Sequence, residues 1–192
     1  NVDFDRLVEQ AARLTENWKP TGQTRNLVLP KLRRGAVQLV HEPATQQYTL
    51  QYASGPTRKD PMKFANRVMA SVLGDDSGSR LFWELVDTGD AETAVAFTHE
   101  YQECGLIGLY LACAPEQTAE NWEQIRKVLQ NAVKEKMTEK ERTQAVNKIC
   151  SGIALSAERP GNRLFTVGNA WTLRNQYESV AEVVAQYQGV TI

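Results

Sequence analysis

Residues 73–82 (LGDDSGSRLF) constrain the fold most, because they join two apolar helices through a short turn of small and polar residues. In the preceding segment, apolar side chains recur at the 3.6-residue period of a helix. Asp60 is placed to cap this helix, Pro61 to begin it, and Gly74 to end it in the left-handed conformation. After the turn, residues 80–85 predict a second short helix. The turn is therefore expected to pack against a core on both sides.

Four segments have the pattern of strands. Residues 47–53 alternate, with Tyr48, Leu50 and Tyr52 on one face, which predicts a half-buried antiparallel strand. A preceding strand is predicted over residues 36–41. Residues 93–99 and 106–113 give two more, and the last is apolar on both faces, so we expect it to be central and covered.

Helical patterns follow the strands. One pattern covers residues 118–136, and a capping box at Thr138 and Glu141 opens the next helix. A third apolar stripe follows Pro160, and Ser179 caps a last short helix. A further amphipathic helix, capped by Asp3, is predicted near the N-terminus. Strands and helices that are grouped rather than strictly alternating indicate an α+β fold, with an antiparallel-rich sheet and helices packed on one face.

Composition excludes several classes of function. The 192 residues carry 22 basic and 23 acidic side chains, a balance that does not favour nucleic acid or an anionic membrane surface as a partner. No apolar run reaches the roughly 20 residues needed to cross a bilayer. The three cysteines lie in apolar segments without Cys-x-x-Cys spacing, which favours reduced thiols. The sequence indicates no cellular compartment.

Three segments are expected along the chain. Residues 1–17 are interpreted as the last helix of a preceding domain, residues 18–34 as a linker rich in proline and glycine, and residues 35–192 as one domain. We expect the C-terminal end of that domain to be cut short in this chain.

Several short motifs, taken together in this order, resemble the insulinase/pitrilysin/mitochondrial-processing-peptidase family of inverted-zincin metallopeptidases. The strongest is Ser79-Arg80-Leu81-Phe82 with the small-residue turn before it. Residues 104–110 (CGLIGLY), 114–116 (APE) and 137–141 (MTEKE) continue the likeness. The resemblance implies a LuxS/processing-peptidase-like fold and an inactive, C-terminal-type peptidase domain.

The resemblance also implies a zinc site that this chain lacks. The zinc motif of the family is H-x-x-E-H, in which two histidines bind the metal and the glutamate acts as general base. The chain has only His41 and His99, and neither begins that motif. No metal ligand and no catalytic residue are therefore expected here, and zinc is expected in a catalytic domain outside this chain.

Zinc-free domains of this family supply an arginine and a tyrosine, seven residues apart, that donate hydrogen bonds to the substrate carbonyl as its oxygen becomes negative. Counted from Arg80, those positions fall on Val86 and Thr93. Val86 cannot donate, and the hydroxyl of Thr93 lies on a much shorter side chain. Both are expected to face the substrate chamber, whereas Ser79, Arg80, Leu81 and Phe82 are expected to be structural.

Two functions remain open at this stage. The first is a non-catalytic domain that packs beside a zinc-bearing domain, of the same or a partner chain, and helps to enclose a peptide substrate. The alternative is a catalytically dead scaffold that binds partner subunits. A self-sufficient hydrolase is disfavoured, because no general base has a nucleophile or metal beside it in the sequence.

Overall fold

A computed structural model describes residues 2–23, 28 and 33–192, which form six α-helices and one three-stranded antiparallel sheet. The helices are α1 (Phe4–Thr15), α2 (Met62–Gly74), α3 (Thr118–Glu135), α4 (Glu139–Ala157), α5 (Pro160–Arg174) and α6 (Val180–Gln188). The strands are β1 (Gln47–Gly55), β2 (Thr93–Glu100) and β3 (Gly105–Cys113). A π-helical turn covers Phe82–Val86, and a 3₁₀ turn covers Pro115–Gln117. The predicted α+β class and antiparallel sheet are confirmed.

The predicted caps fix the helix starts. Asp3 accepts a hydrogen bond from the backbone N–H of Arg6, and capping boxes form at Thr138 with Glu141 and at Ser179 with Glu182. Asp60 accepts from the N–H of Met62 at 2.8 Å, so it serves the first turn of α2 as expected. Each of these bonds satisfies a donor that the helix itself leaves unpaired.

Strand β3 is central, as its two apolar faces predicted, and it pairs antiparallel with β1 on one side and β2 on the other. Its odd-numbered residues, such as Leu111 and Cys113, lie in a core cluster with Leu73 of α2 and Ile125 of α3. The other side of α2 forms a second cluster with α4 and α6 around Tyr187. Helix α2 therefore lies between the sheet and an outer layer of helices.

Gly74 ends α2 as predicted, but the left-handed conformation predicted for it is wrong. Among the described residues, the glycines in the left-handed region are Gly22, Gly78 and Gly89, and Gly74 is not one of them. Gly74 is required for another reason: a Cβ at this position would lie 2.3 Å from the backbone nitrogen of Ala96. Helix α2 approaches β2 so closely at this point that only a hydrogen atom fits.

The predicted strand over residues 36–41 is wrong as well. These residues are not in a strand, and Val37, Leu39 and Val40 are each more than 80% exposed. A strand needs a hydrogen-bonded neighbour, and within residues 33–192 the only strand that pairs with β1 is β3.

The assignment of residues 1–17 to a preceding domain stays a prediction, although α1 does form there. Part of the predicted linker, residues 24–27 and 29–32, lies outside the described residues. The three cysteines are free thiols, as predicted, but only Cys113 is fully buried. Over the part of the chain that is described, no helix is long and apolar enough to cross a membrane.

Candidate functional site

Within the described residues, one face of the sheet carries no helix and displays apolar side chains, and we call it the open face. Residues directly opposite each other on neighbouring strands share a face, so the strand register assigns every side chain of the sheet to one of its two faces. The open face consists of Tyr48, Leu50, Tyr52 and Ser54 of β1, Thr93, Val95, Phe97 and His99 of β2, and Leu106, Gly108, Tyr110 and Ala112 of β3. The half-burial predicted for the apolar side of β1 is therefore wrong: Tyr48, Leu50 and Tyr52 are each more than half exposed.

Aromatic side chains cover the middle of the open face. The rings of Tyr52 and Phe97 meet edge to face with centroids 5.9 Å apart. Phe97 lies over Gly108, where a Cβ would come within 2.3 Å of the ring. The rings of Tyr48 and Tyr110 are stacked at 6.4 Å. These pairs make a continuous apolar surface. A partner that covered it would bury apolar area and could make further favourable contacts with the aromatic rings.

Thr93 lies at one end of the open face, in a row with Ala112 and Tyr48. Tyr110 is in the next row, paired with Val95. Burial raises the pKa of the Tyr110 hydroxyl, and the nearby Tyr48 and Glu92 raise it further. The phenol is therefore neutral at physiological pH and is able to donate a hydrogen bond. Two tyrosines of the open face thus lie in the same row as, or the row next to, the position where the resemblance predicts a tyrosine and the chain has threonine.

Val86 closes the π-helical turn in which Asp87 donates its backbone N–H to the carbonyl of Phe82 at 2.8 Å. The backbone N–H of Ala91 donates to the carbonyl of Leu85 at 2.9 Å, and this hydrogen bond holds the end of the turn close to the start of β2. Val86 itself is half-buried and packs against the main core cluster. Turns of this π type occur frequently at functional sites, but here the side chain at residue 86 cannot donate a hydrogen bond.

The Ser79–Phe82 motif is tied into the core. Ser79 is buried, donates to the carbonyl of Asp75 at 2.9 Å and accepts from the N–H of Phe82 at 3.2 Å. Leu81 is fully buried, and the ring of Phe82 packs edge to face on Trp83 at 5.1 Å. These bonds and contacts hold the turn between α2 and the π-helical segment in one conformation.

Arg80 fastens this turn to α4. Its guanidinium donates to both carboxylate oxygens of Glu141 at 2.7 and 2.9 Å and to the carbonyl of Lys136 at 2.8 Å. Glu141 is also part of the capping box of α4, so one carboxylate serves both a helix start and an ion pair. The carbonyl that Arg80 binds follows the end of α3, which the fold brings close to the turn.

Replacing Arg80 by alanine should lower the free energy of unfolding by about 2 kcal/mol, because it removes two charge-assisted hydrogen bonds from a partly buried carboxylate. Arg126→Ala is the matched control, since Arg126 pairs with Glu123 at 3.4 Å on the exposed side of α3 and should cost at most about 0.5 kcal/mol. Denaturant unfolding of both variants measures the difference. Equal losses would contradict a structural role for Arg80.

The same pair predicts a pH dependence. The hydrogen bonds from Arg80 hold the pKa of Glu141 at about 2, below its ordinary value of 4.5. A depressed carboxyl pKa contributes stability above the unfolded-state pKa that is lost as the pH falls through the folded-state pKa. Wild type should therefore lose stability relative to Arg80→Ala between about pH 4.5 and pH 2.

The described residues do not fit a zinc ion. No group of three or more histidine, cysteine, aspartate or glutamate side chains within them could hold a metal. His99 lies on the open face of β2, with its ring next to Phe97, and His41 lies in an exposed turn before β1. Two histidines on separate segments do not make the ligand set that a zinc site needs.

Two tyrosines near Thr93 were missed as candidate functional residues. Tyr48 had been placed on an apolar face, but that face was expected to be covered. Tyr110 was interpreted only as part of a buried strand. Tyr110 has an even number in β3, and the pairing register places the even-numbered residues of β3 on the same face as Tyr48. The sequence alone does not give that register.

Comparison with known sequences gives one family. Residues 1–149 match the family model of the peptidase M16 inactive domain. An uncharacterized zinc protease of Streptomyces coelicolor is 26% identical over 202 residues, a match that covers all of this chain and 43% of that protein. A second uncharacterized zinc protease, from Mycobacterium bovis, is also 26% identical, with 45% of its length covered. The chain thus spans less than half the length of the curated relatives that it matches.

Solved structures show the same fold. A protease from Helicobacter pylori matches 99% of this chain with a TM-score of 0.77 and 15% identity, and 48% of that chain is covered. The periplasmic protease PqqL of Escherichia coli matches the whole chain with a TM-score of 0.75 and 16% identity, over 22% of its own length. In both, the matching part belongs to a larger protein.

Proposed function

Because this chain belongs to the peptidase M16 inactive-domain family, we propose that it is the non-catalytic domain of a zinc metallopeptidase and helps to enclose a peptide substrate. The observation that carries the proposal is the open face: an uncovered apolar sheet surface that ends at Thr93. A peptide laid on this face would cover Leu50, Tyr52 and Phe97, which are otherwise left in contact with water.

The outer edge of β1 supports the same role. Within residues 33–192, β1 pairs with β3 alone, so the backbone N–H and C=O groups along its other edge have no strand partner. An extended peptide can add to such an edge through main-chain hydrogen bonds, while side chains on one of its faces meet the open face. Binding of this kind depends little on peptide sequence, apart from a preference for apolar residues.

The catalytic zinc would then come from a domain outside this chain. The curated relatives are named zinc proteases, and each is more than twice as long as the part that matches. A zinc-bearing domain, in the same or a partner chain, is therefore the proposed partner. Thr93, at the end of the open face, and Val86, half-buried beside the core at the end of the π-helical turn, would both face the chamber between the two domains.

The test compares two adjacent residues of β1 that lie on opposite faces of the sheet. Leu50→Lys places a charge on the open face, and Gln51→Lys places the same charge on the other side. Both positions are exposed, so neither change should alter stability by more than about 0.5 kcal/mol. In the protein that joins this chain to its zinc-bearing domain, Leu50→Lys should raise the KM for a quenched apolar peptide about fivefold, because roughly 1 kcal/mol of apolar burial is lost. Gln51→Lys should leave KM unchanged, and an equal KM for the two variants would refute the peptide-binding role.

A second candidate function is a scaffold that binds partner subunits and cleaves nothing. The absence of a donor at Val86 favours it, because a side chain that cannot stabilise an oxyanion suits a domain without catalytic duties. The two functions are separated by whether the zinc motif H-x-x-E-H is present in the rest of the protein. A protein without that motif would exclude the peptidase and leave the scaffold.

A further inference from the structure

A second concave site lies on the helix side of the sheet, away from the open face. It is a cavity of about 250 Å³ between α2, α5 and α6, and the buried carboxylate of Glu100 at the end of β2 forms part of its floor. Its charged lining consists of Arg58, Lys63, Arg67 and Arg174 together with Glu100 and Glu178. Four positive and two negative groups give the cavity an excess of positive charge.

Both carboxylates in this cavity already have cationic partners. Arg67 donates to both oxygens of Glu100 and, at 3.0 Å, to the hydroxyl of Tyr187. Arg174 donates to both oxygens of Glu178, four residues further along the chain. These two ion pairs are electrically neutral, so the excess charge resides on the remaining two cations.

The remaining cations, Arg58 and Lys63, make no ion pair with any described residue. The Nζ of Lys63 donates to the carbonyl of Arg58 at 2.8 Å, and the Nε of Arg58 donates to the carbonyl of Glu100 at 3.3 Å. Both cations are thus held at the cavity by neutral acceptors. Burial lowers the pKa of Lys63, and the positive charge of Arg174 lowers it further. An anion in the cavity would relieve this repulsion.

A buried donor in the same lining also lacks an acceptor. The Nε–H of Arg174 is inaccessible to solvent and has no hydrogen-bond partner among the described residues. Buried polar groups are nearly always paired, because an unpaired buried donor is unfavourable. This donor is closed off from the cavity, so the contacts to a ligand would come from Lys63 and Arg58.

We propose that this cavity binds a small organic anion, with a carboxylate or phosphate group directed at Lys63 and Arg58. The apolar part of the ligand would lie against Phe64 and Val183, which form the non-polar walls. Lys63 lies over the ring of Phe64 at 4.8 Å, so the positive group and the apolar wall are adjacent. The site is independent of peptide binding on the open face, because the sheet and α2 separate the two.

Isothermal titration calorimetry of the 192-residue chain tests this site with three probes at matched ionic strength: phenyl phosphate, benzoate and inorganic phosphate. We expect saturable binding of phenyl phosphate to one site with a dissociation constant of about 1 mM or tighter, from two or three charge-assisted hydrogen bonds. Inorganic phosphate should bind more weakly, because it does not contact Phe64. Binding of benzoate as well would identify the ligand class as organic anions in general, and its absence would restrict that class to phosphates.

Lys63→Met should weaken phenyl phosphate binding by at least about tenfold, since it removes one charged donor and keeps the side-chain stem. Lys134→Met, on the exposed side of α3, is the matched control and should bind as wild type does. If Lys63→Met lowers the melting temperature, Arg58→Gln replaces it in the comparison. The proposal is overturned by the absence of saturable binding, or by binding that neither Lys63→Met nor Arg58→Gln weakens.

Discussion

Replacing Gly74 by alanine should destabilise the chain by about 3 kcal/mol, the upper end of the usual cost of overpacking. The added Cβ would lie 2.3 Å from the nitrogen of Ala96 and 2.9 Å from the carbonyl carbon of Val95. Both are backbone atoms of β2, so no change of side-chain rotamer can relieve the contact. Helix α2 would have to move away from the sheet, which would also loosen the core around Leu73.

The matched control is Gly152→Ala. Gly152 lies inside α4, and a Cβ there would have no atom within 4 Å. Alanine favours the helix over glycine by about 1 kcal/mol, so this change should stabilise the chain. Denaturant unfolding of the two variants should therefore give shifts of opposite sign. A stabilised Gly74→Ala variant would show that α2 and β2 are further apart than described.

The second large effect concerns catalysis and depends on the proposed function. In the protein that joins this chain to its zinc-bearing domain, Val86→Arg combined with Thr93→Tyr should accelerate peptide cleavage about 100-fold, because one oxyanion donor is worth two to three decades in rate. The half-buried position of Val86 allows this change, since the arginine stem can lie along the core and extend its charge outward.

The control for this prediction is Val86→Arg combined with Thr93→Phe, which has the same bulk without the hydroxyl. It should gain less than the tyrosine variant, and melting temperatures establish that both fold. Turnover of a quenched peptide is the assay. A wild-type enzyme that is already fast, or a double variant that is no faster, would mean that the loss of this pair has little consequence, and Tyr48 or Tyr110 would then be the first replacement donors to test.

Local patterns in the sequence predicted most of the fold. Polar caps such as Thr138 with Glu141 act over three or four residues, so their effect can be inferred without knowing the tertiary structure. The central place of strand β3 was predicted from its two apolar faces. The expectation that both faces would be covered is wrong, because within residues 33–192 helices cover only its odd-numbered face. The caps and the central strand were predicted correctly because the patterns that decide them are close in sequence.

The errors have a common physical cause, which is dependence on distant partners. The alternation of Tyr48, Leu50 and Tyr52 identified a strand, but a period of two does not determine which face the helices cover. Gly74 is fixed by its approach to Ala96, and the partner of Arg80 is carried by α4. The lining of the cavity beside Lys63 is assembled from segments more than 100 residues apart. No local signal in the sequence could have indicated that cavity.

The central claim is that this chain is the non-catalytic part of a zinc metallopeptidase and that the metal is bound elsewhere. The most direct test is the zinc content of the purified 192-residue chain, measured by atomic emission after dialysis against a metal-free buffer. The account predicts far less than one zinc per chain and no cleavage of a quenched peptide by the chain alone. One tightly held zinc per chain, together with peptide cleavage that a chelator abolishes, would contradict it.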